Sequence, residues 1–337
     1  MIDERLTGGL AVIVSQLPPL IQRLLDPNSD QAARHTRYQL FAALSQFTAE
    51  DLTVDQVTAA QLPELLSLGA STCPPAFLPN QLTVGTVAQQ KAGSFAASYL
   101  MGQFVNRLGK VGNPPQVVEE LTVDGGDFMI AQLQRLQFNY NQHFQVADYL
   151  LDVKSRAGLL AAITAKQAAV FANLGPDLVS LAGQIGQTIG STGTMVNELA
   201  TLFKQPTTLT TAILTGQYPL PLLFAIEDHP AWFKSFFGQD HRPTPAAFDQ
   251  AYQFTMTARP KAAEIITEML SQARRLVGTD DRYALPLSAL VGALFLLLID
   301  TLARTISAGE IPLSILTGFI GAPLFIYLLV RKKAQYP

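Results

Sequence analysis

Residues 284–306 read ALPLSALVGALFLLLIDTLARTI, a run of 23 residues in which only Asp300 and Arg304 are charged. A second run, residues 311–330, has 20 residues and no charged side chain. At about 1.5 Å per helical residue, each run reaches the roughly 30 Å thickness of a bilayer's hydrocarbon core. Only four residues, 307–310, connect the two runs. We therefore predict a C-terminal transmembrane helical hairpin, with helices at about 284–306 and 311–330.

The flanks of this hairpin predict its orientation. Six basic residues lie at its outer ends: Arg274, Arg275 and Arg282 before the first run, and Arg331, Lys332 and Lys333 after the second. The connecting side holds only Arg304 and Glu310. Because Lys and Arg are enriched on the cytoplasmic side of membrane helices, both outer ends, including the C-terminus, are predicted to face the cytoplasm.

Asp300 and Arg304 lie four residues apart, so on a helix they share one face and can form an ion pair. Both are in the last two turns of the first run, near the interface that faces away from the cytoplasm. A long arginine side chain can reach the headgroup region from there, which keeps the cost of its charge small. We interpret the two residues as a structural pair at a helix end rather than as part of a substrate path.

Composition narrows the class of protein. Charged residues make up 15% of the 337 residues, against about 25% in an average soluble domain. The net charge of −3 gives no general attraction to nucleic acid. A single cysteine, Cys73, excludes an internal disulfide and a thiolate metal cluster.

The sequence before the hairpin has helical periodicity and little strand-like alternation, which predicts an all-α fold. Apolar stripes occur at Leu174, Leu178, Leu181 and Ile185, resuming at Val196, and at Met129, Leu133 and Leu136. We divide the chain into residues 1–270, a mixed amphipathic helical region, and residues 271–337.

Residues 206–226 are uncharged and are a weaker candidate for a further membrane helix upstream. Gly190–Gly193 is a possible helix break, Asp124–Gly126 a predicted turn and Leu82–Val87 the best strand candidate.

No pattern in the sequence predicts catalysis, so we expect that the chain is not an enzyme and needs no cofactor. It has no phosphate-binding loop of the Gly-x4-Gly-Lys-Ser/Thr type. The pairs Asp228-His229 and Asp240-His241 contain metal-ligand types, but their spacing matches no metal motif and the prolines that follow favour surface turns. The aromatic segment Trp232–Phe237 suits either core packing or a membrane-interface anchor.

The C-terminal region also carries a dense set of short motifs. They are Leu-Pro-Leu-Ser-Ala at 285–289, Asp-Thr-Leu-Ala-Arg at 300–304, Glu-Ile-Pro at 310–312 and Gly-Ala-Pro at 321–323. The proline and glycine positions of this pattern are Pro286, Gly292, Pro312, Gly321 and Pro323. Residues 273–333 resemble the end of FecCD/BtuC-type permeases, the membrane subunits of ABC importers for iron-siderophore complexes, haem and cobalamin.

This resemblance implies a multi-pass protein of the inner (plasma) membrane that moves substrate by alternating access. Its implied partners are membrane lipid, a separate ABC ATPase, a periplasmic substrate-binding protein and a second permease subunit. The family's Pro-His segment, which faces the ATPase, is replaced here by residues 261–272, a charged amphipathic stretch with Glu264 and Glu268. Two alternatives stay open: a helical interaction domain anchored by the hairpin, and an artificial or rearranged chain without transport activity.

Overall fold

The computed structural model describes residues 2–26, 30–45, 52–72, 84–141, 143–238 and 243–276. The predicted membrane hairpin lies outside these residues. Within them the chain forms fourteen α-helices and no strand, which confirms the all-α prediction for the described part. The helices are α1 (Ile2–Ser15), α2 (Pro19–Gln22), α3 (Gln31–Ser45), α4 (Val54–Ser71), α5 (Val84–Leu108), α6 (Pro115–Phe138), α7 (Val146–Val153), α8 (Leu159–Phe171), α9 (Pro176–Lys204), α10 (Thr207–Leu214), α11 (Leu220–Asp228), α12 (Pro230–Phe237), α13 (Pro245–Thr257) and α14 (Arg259–Leu276).

Short sequence signals set many of the helix starts. Helices α6, α9, α12 and α13 each begin on a proline, where the missing N–H costs nothing because the first-turn donors have no partner within the helix. Helix α4 begins with a capping box, in which the Thr53 side chain accepts from the Gln56 backbone and the Gln56 side chain accepts from Thr53. These starts agree with the proline breaks expected in the first 270 residues.

Two hydrophobic cores form, and α9 belongs to both. The first core gathers α1, α3, α4, α5, α6, α8 and the beginning of α9, where Val179, Ile185 and Ile189 are buried. The second gathers α7, the end of α9 and α10 to α14, and there Met195 and Leu199 of α9 are buried. Because one helix of 29 residues supplies side chains to both cores, packing in one core is coupled to packing in the other.

Small residues allow α8 and α9 to approach closely. A Cβ atom placed on Gly190 would lie 2.4 Å from the Ala161 Cβ, and one on Gly186 would lie 2.6 Å from the Ala161 carbonyl oxygen. The glycine-containing segment 190–193 is therefore a site of helix contact, and α9 continues through it unbroken. The sequence left open whether this segment lies within one helix or between two helices, and the structure has one helix.

Two local predictions are wrong. The segment Asp124–Gly126 is not a turn but the middle of α6, and a Cβ on Gly125 would meet the Phe104 ring at 2.7 Å. Glycine is present there because α5 and α6 pack closely, a tertiary requirement that local turn statistics cannot show. The strand candidate Leu82–Val87 is also wrong where it is described, because Val84 begins α5.

The described helices include none that is long and apolar enough to span a bilayer. Residues 206–226, considered as a further membrane helix, instead form α10 and α11, separated by a turn at Gly216 with φ of +70°. Tyr140 of the segment after α6 contacts that turn, since its backbone N–H donates to the Gly216 carbonyl at 3.0 Å.

Candidate functional site

The first buried polar cluster lies where α3 crosses α4. The Glu64 carboxylate is fully buried and is shared by two arginines: Arg37 donates from Nε to Oε1 at 2.6 Å and from Nη2 to Oε2 at 2.7 Å, and Arg34 donates from Nε to Oε2 at 3.1 Å. The same Arg37, only 2% exposed, also donates to Asp30 at 3.2 Å. The bidentate contact fixes the angle between the two helices more tightly than a point charge would.

Hydrogen bonds connect this cluster to α1. Tyr38 donates to the Gln61 side-chain oxygen, and Gln61 Nε2 donates to the Leu6 carbonyl at 2.6 Å. Burial raises the pKa of Tyr38, and the Glu64 charge raises it further, so the phenol stays neutral. Burial alone would lower the pKa of Arg37, but the Glu64 and Asp30 carboxylates outweigh it, and the pKa lies above its ordinary value.

A groove opens beside this cluster, between α1 and α3. It has a volume of about 720 Å³, and its lining is mainly apolar with a polar side at Arg34, His35 and Tyr38. The charges of Arg34 and Arg37 are matched by Glu64 and Asp30. The cluster is therefore electrically balanced, and its chemistry is that of a structural cross-link more than that of an anion-binding site.

The second polar cluster brings together α6, α7 and α9. Asp152 accepts from Arg135 at 3.1 Å and from Arg156 at 2.6 Å, and Tyr149 donates to the Glu198 carboxylate. Arg156 belongs to a π-helical turn, Lys154–Gly158, between α7 and α8. Such a turn inserts one residue into a helix and is frequent at functional sites.

The electrostatics of the second cluster are set by burial. Burial raises the pKa of Glu198, although the Tyr149 hydrogen bond and the two arginines act in the opposite direction. Burial and the Glu198 charge raise the pKa of Tyr149, which keeps its proton for the hydrogen bond. Burial lowers the pKa of Arg135, with the Asp152 charge opposing it. Among the carboxyl groups of this cluster, Glu198 is the one whose pKa burial raises.

A second groove, of about 500 Å³, lies between the π-helical turn, α9 and α14. Its lining includes Lys154, Ser191, Glu268 and Met269. The α14 side of this groove is the amphipathic stretch 261–272, which buries Ala262, Ile266 and Leu270 against the second core while Glu264 and Glu268 stay exposed.

Most of the residues that the sequence predicts to matter for the membrane segment lie after the last described residue. Arg274 and Arg275 lie in the last turn of α14. The other flanking and motif positions lie outside the described residues: Arg282, Pro286, Gly292, Asp300, Arg304, Pro312, Gly321, Pro323, Arg331, Lys332 and Lys333. The helix-end pair and the orientation of the hairpin therefore stay predictions.

The aromatic segment and the histidine pairs are better defined. Phe233 and Phe236 of α12 are 1% and 3% exposed and belong to the second core. The His229 ring stacks on Phe254 at 3.9 Å, and Asp228 pairs with Lys261 at 2.6 Å. Residues 239–242, with the second Asp-His pair, are not described. In this segment the described contacts agree with core packing.

Sequence reasoning missed both polar clusters, although part of the signal was present. Arg34 and Arg37 are three residues apart on one helix, and Asp152 and Arg156 are four apart, so each pair shares a helix face. The contacts that complete the clusters join residues that are farther apart in the chain. Arg37 and Glu64 are separated by 27 positions, Arg135 and Asp152 by 17, and Tyr149 and Glu198 by 49. Only the packing of the helices brings them together.

The described helices have the fold of prenyl diphosphate synthases. The geranylgeranyl pyrophosphate synthase of Lactobacillus brevis is similar with a TM-score of 0.68 and 16% identity, over 86% of this chain and 95% of that one. The heptaprenyl diphosphate synthase of Staphylococcus aureus gives 0.65 and 17%, over 90% and 96%. The polyprenyl synthase of Caulobacter crescentus, in complex with calcium and isoprenyl diphosphate, gives 0.62 and 14%, over 87% and 97%. At these identities the likeness establishes the fold and leaves the activity open.

The C-terminal region is similar to a different group of proteins. Residues 271–331 match the FecCD transport family. The molybdate import system permease protein MolB of Haemophilus influenzae is 51% identical over 61 residues, the Fe(3+)-citrate import system permease protein YfmE of Bacillus subtilis 59% over 58, and the vitamin B12 import system permease protein BtuC of Vibrio cholerae 49% over 60. The matches span 17% or 18% of this chain and of each relative. The predicted resemblance to ABC importer permeases, confined to about residues 273–333, is confirmed.

One of the similar structures contains a divalent cation and a diphosphate. The described residues can be compared with the ligands that such a site requires. Calcium and magnesium bind carboxylate oxygens, often several together beside substrate phosphates. Within the ranges of the chain that the structure describes, no group of three or more His, Cys, Asp or Glu side chains is placed to hold a metal ion. The acids in the two clusters, Glu64 and Asp152, are already occupied by arginines. The described residues thus do not fit a cation-diphosphate site of this kind.

Proposed function

We propose that the chain is a membrane-anchored protein whose residues 2–276 form a non-catalytic interaction domain with the prenyl-synthase fold. The C-terminal permease-type segment would be its anchor in the inner membrane. The observation that carries the proposal is that the chain is similar to two unrelated groups: its helical fold is similar to nearly whole prenyl synthases, whereas only residues 271–331 match the FecCD transport family.

The polar clusters support the non-catalytic part of this proposal. The carboxylates that face the interior from α4 and α7, Glu64 and Asp152, each accept from two arginines. A carboxylate whose oxygens already accept from two arginines does not readily bind a further cation. The clusters serve the packing of the helices, and the surface of the domain is left for binding partners.

Topology labelling tests the anchor. Cys73 is replaced by serine, and single cysteines are introduced at the exposed positions Ser98, Ser180 and Ser235 of the full-length chain. Ser67 would be a poor site, since it is buried and donates to Asp30. We expect all three positions to react with a membrane-impermeant maleimide from the cytoplasmic side of inverted vesicles, and none from the outside of intact cells. Labelling of any of them from the opposite side would overturn the anchor.

A second candidate function is favoured by the family match: a permease subunit of an ABC importer. In that case the C-terminal hairpin would contribute to a multi-pass pore that works by alternating access, with a separate ATPase, a periplasmic binding protein and a second permease subunit. The relatives are named for different cargoes, molybdate, Fe(3+)-citrate and vitamin B12. Iron-siderophore, haem or cobalamin is the cargo that the resemblance suggested.

Uptake measurements test the permease. The chain is expressed with its neighbouring ATPase and binding-protein genes in cells that lack their own importers, and radiolabelled ferric citrate, haem and cobalamin are supplied in turn. A permease gives ATP-dependent uptake of one of them and co-purifies with the ATPase subunit. Absence of both uptake and co-purification would reject the permease while leaving the anchored domain intact.

A further inference from the structure

The groove beside the first polar cluster, between α1 and α3, has walls that other contacts hold in place. Helix α1 lies on α4, where a Cβ atom placed on Gly9 would lie 2.8 Å from Cγ1 of Val57. Gln61 of α4 also donates from Nε2 to the Leu6 carbonyl at 2.6 Å. These contacts fix the position of α1 without the help of α3.

The opposite wall is fixed to the same helix. Arg37 of α3 donates to both oxygens of the Glu64 carboxylate of α4. The far end of α1 is held by Gln22, whose side chain donates to the Leu17 carbonyl at 2.7 Å. Because both walls are attached to α4, the groove is a built feature of the fold. Small-molecule sites are usually preformed in this way.

Small side chains leave the groove open, and its size suits a small molecule. Ala11 and Ser15 of α1 and Ala32 of α3 line it, together with the apolar Leu10 and Val14. Its volume of about 720 Å³ lies within the range of about 300 to 1,000 Å³ that is typical of ligand pockets. A helix of roughly 10 Å diameter takes about 120 Å³ per residue, so about six residues of a helix would fill the groove. A helix that short is not stable by itself.

The fixed charge in the lining is already matched. Among the described residues that line the groove, Arg34 is the one with a fixed charge, and it donates to Glu64 at 3.1 Å. These described lining residues include no Asp, Glu or Lys. An ionised ligand would lose its water without gaining a counter-charge that is not already paired, and that loss is costly. The lining therefore fits an uncharged molecule.

One side of the groove determines where a polar group of the ligand would lie. Arg34, His35 and Tyr38 form this side, and an arginine side chain carries hydrogen-bond donors only. An acceptor oxygen, such as an ester carbonyl, suits this side. The rest of the ligand would lie along the apolar part of the lining, where burial of its chain is favourable.

We propose that the groove between α1 and α3 binds one uncharged, lipid-like molecule. Its apolar chain lies along Leu10 and Val14, and an acceptor oxygen lies at the Arg34 side. This site is additional to the proposed function and does not depend on it, since an anchored interaction domain and a permease subunit would each have room for such a molecule.

Photolabelling tests the site on the full-length chain in lipid nanodiscs. The probe is the methyl ester of a medium-chain fatty acid that carries a diazirine on its chain, and the matched carboxylic acid and primary amine are used beside it. We expect the ester to label α1 and α3 saturably, with competition by the unlabelled ester, and mass spectrometry locates the label. The acid and the amine should label these helices at least about tenfold less, because their charge is buried without a partner.

Variants that fill the groove add a second test. Ala11→Trp combined with Ala32→Trp should reduce labelling at least about tenfold, because both exposed alanines line the groove and the indoles would occupy it. Ala11→Leu combined with Ala32→Leu should give an intermediate loss. The matched control is Ala88→Trp, at an exposed alanine of α5 outside the groove, and it should label as the wild type does. Circular dichroism verifies that each variant keeps the wild-type helix content.

Thermal melting gives a readout that does not depend on labelling. The unlabelled ester should raise the Tm of the wild type and of Ala88→Trp, but not that of the tryptophan pair, because a ligand stabilises only the state that binds it. Labelling that persists in both filled variants, acid or amine labelling as strong as that of the ester, or no saturable labelling of α1 and α3 would overturn the proposal. Failure of the anchor in the topology experiment would leave these results unchanged, so the two proposals fail separately.

Discussion

At the scale of single residues, the interior of this domain is held by carboxylates that are each shared by two arginines. Glu64 accepts from Arg34 and Arg37, and Asp152 accepts from Arg135 and Arg156. Burying these charges costs several kcal/mol for each ion, and only the pairing offsets it. The clusters are therefore sensitive to the loss of one partner, and they fix which helix faces meet.

Replacing Glu64 by glutamine should destabilise the chain by about 3 to 5 kcal/mol, because Arg37 is then left buried with only its peripheral acid, Asp30. Urea unfolding followed by circular dichroism measures the loss. Asp228→Asn is the matched control, since Asp228 pairs with Lys261 where both side chains are largely exposed, and a surface pair contributes at most about 1 kcal/mol. Equal losses in the two variants would contradict the structural role of the Glu64 cluster.

The Glu198 carboxyl should give stability a pH dependence. Because its pKa in the folded chain lies above the ordinary value of 4.5, the folded state binds the proton more tightly than the unfolded state does. The stabilisation is fully present below pH 4.5 and is lost as the pH rises through the raised pKa. Glu198→Gln should remove this decline, so its free energy of unfolding falls less than that of the wild type as the pH rises above 4.5. Parallel profiles would contradict the prediction.

At the scale of elements, α9 determines whether the two cores form one unit. Its first half packs on α8 through Gly186 and Gly190, and its second half supplies Met195 and Leu199 to the second core. Glycines weaken an isolated helix by about 1 kcal/mol each relative to alanine. Here their absent side chains allow α8 to lie close, and the packing that results outweighs the loss in helix propensity.

Gly190→Ala should therefore be destabilising although alanine favours helices. The new Cβ would lie 2.4 Å from the Ala161 Cβ, and overpacking of this kind costs about 1 to 3 kcal/mol. Gly8→Ala in α1 is the control, because no heavy atom lies within 4 Å of the added Cβ, and it should stabilise by about 0.5 to 1 kcal/mol. Thermal melting followed by circular dichroism gives both values. A rise in Tm for both variants would show that α8 and α9 are not in close contact.

At the scale of the whole molecule, the chain is similar to two different groups of proteins. The fold is similar to that of a prenyl synthase over 86% of this chain, and residues 271–331 match the FecCD transport family. The described members of the two hydrophobic cores all lie before residue 271. The helical domain should accordingly keep its structure when the C-terminal segment is separated from it.

A protease site inserted between Val277 and Gly278 tests this independence. After cleavage of isolated membranes, we expect the N-terminal fragment to leave the membrane fraction with its helix content unchanged, because the described members of its cores all lie before the cleavage site. The C-terminal fragment should stay with the membrane. An uncleaved chain is the control. Retention of the N-terminal fragment after a high-salt wash would contradict the anchored-domain proposal and favour further membrane contacts upstream.

Helix type and several helix starts could be predicted from sequence because their causes are local. The prolines at 115 and 245 and the apolar stripe from Leu174 to Ile185 all act within a few residues. The prediction at Asp124–Gly126 was wrong because Gly125 serves helix packing and not a turn. The prediction at Leu82–Val87 was wrong where it is described, because Val84 begins α5. Neither the arrangement of the helices nor the polar clusters could be predicted, since their partners are far apart in the chain.

By itself, the sequence determined that the described part of the chain is helical and that residues 271–331 are of the ABC-permease type, because periodicity and short motifs are carried by neighbouring residues. Only the tertiary structure decided that the described helices have the prenyl-synthase fold, with arginines on its interior carboxylates. The physical reason is distance along the chain. Glu64 meets Arg37 across 27 residues and Glu198 meets Tyr149 across 49, and only folding brings such partners within hydrogen-bonding reach.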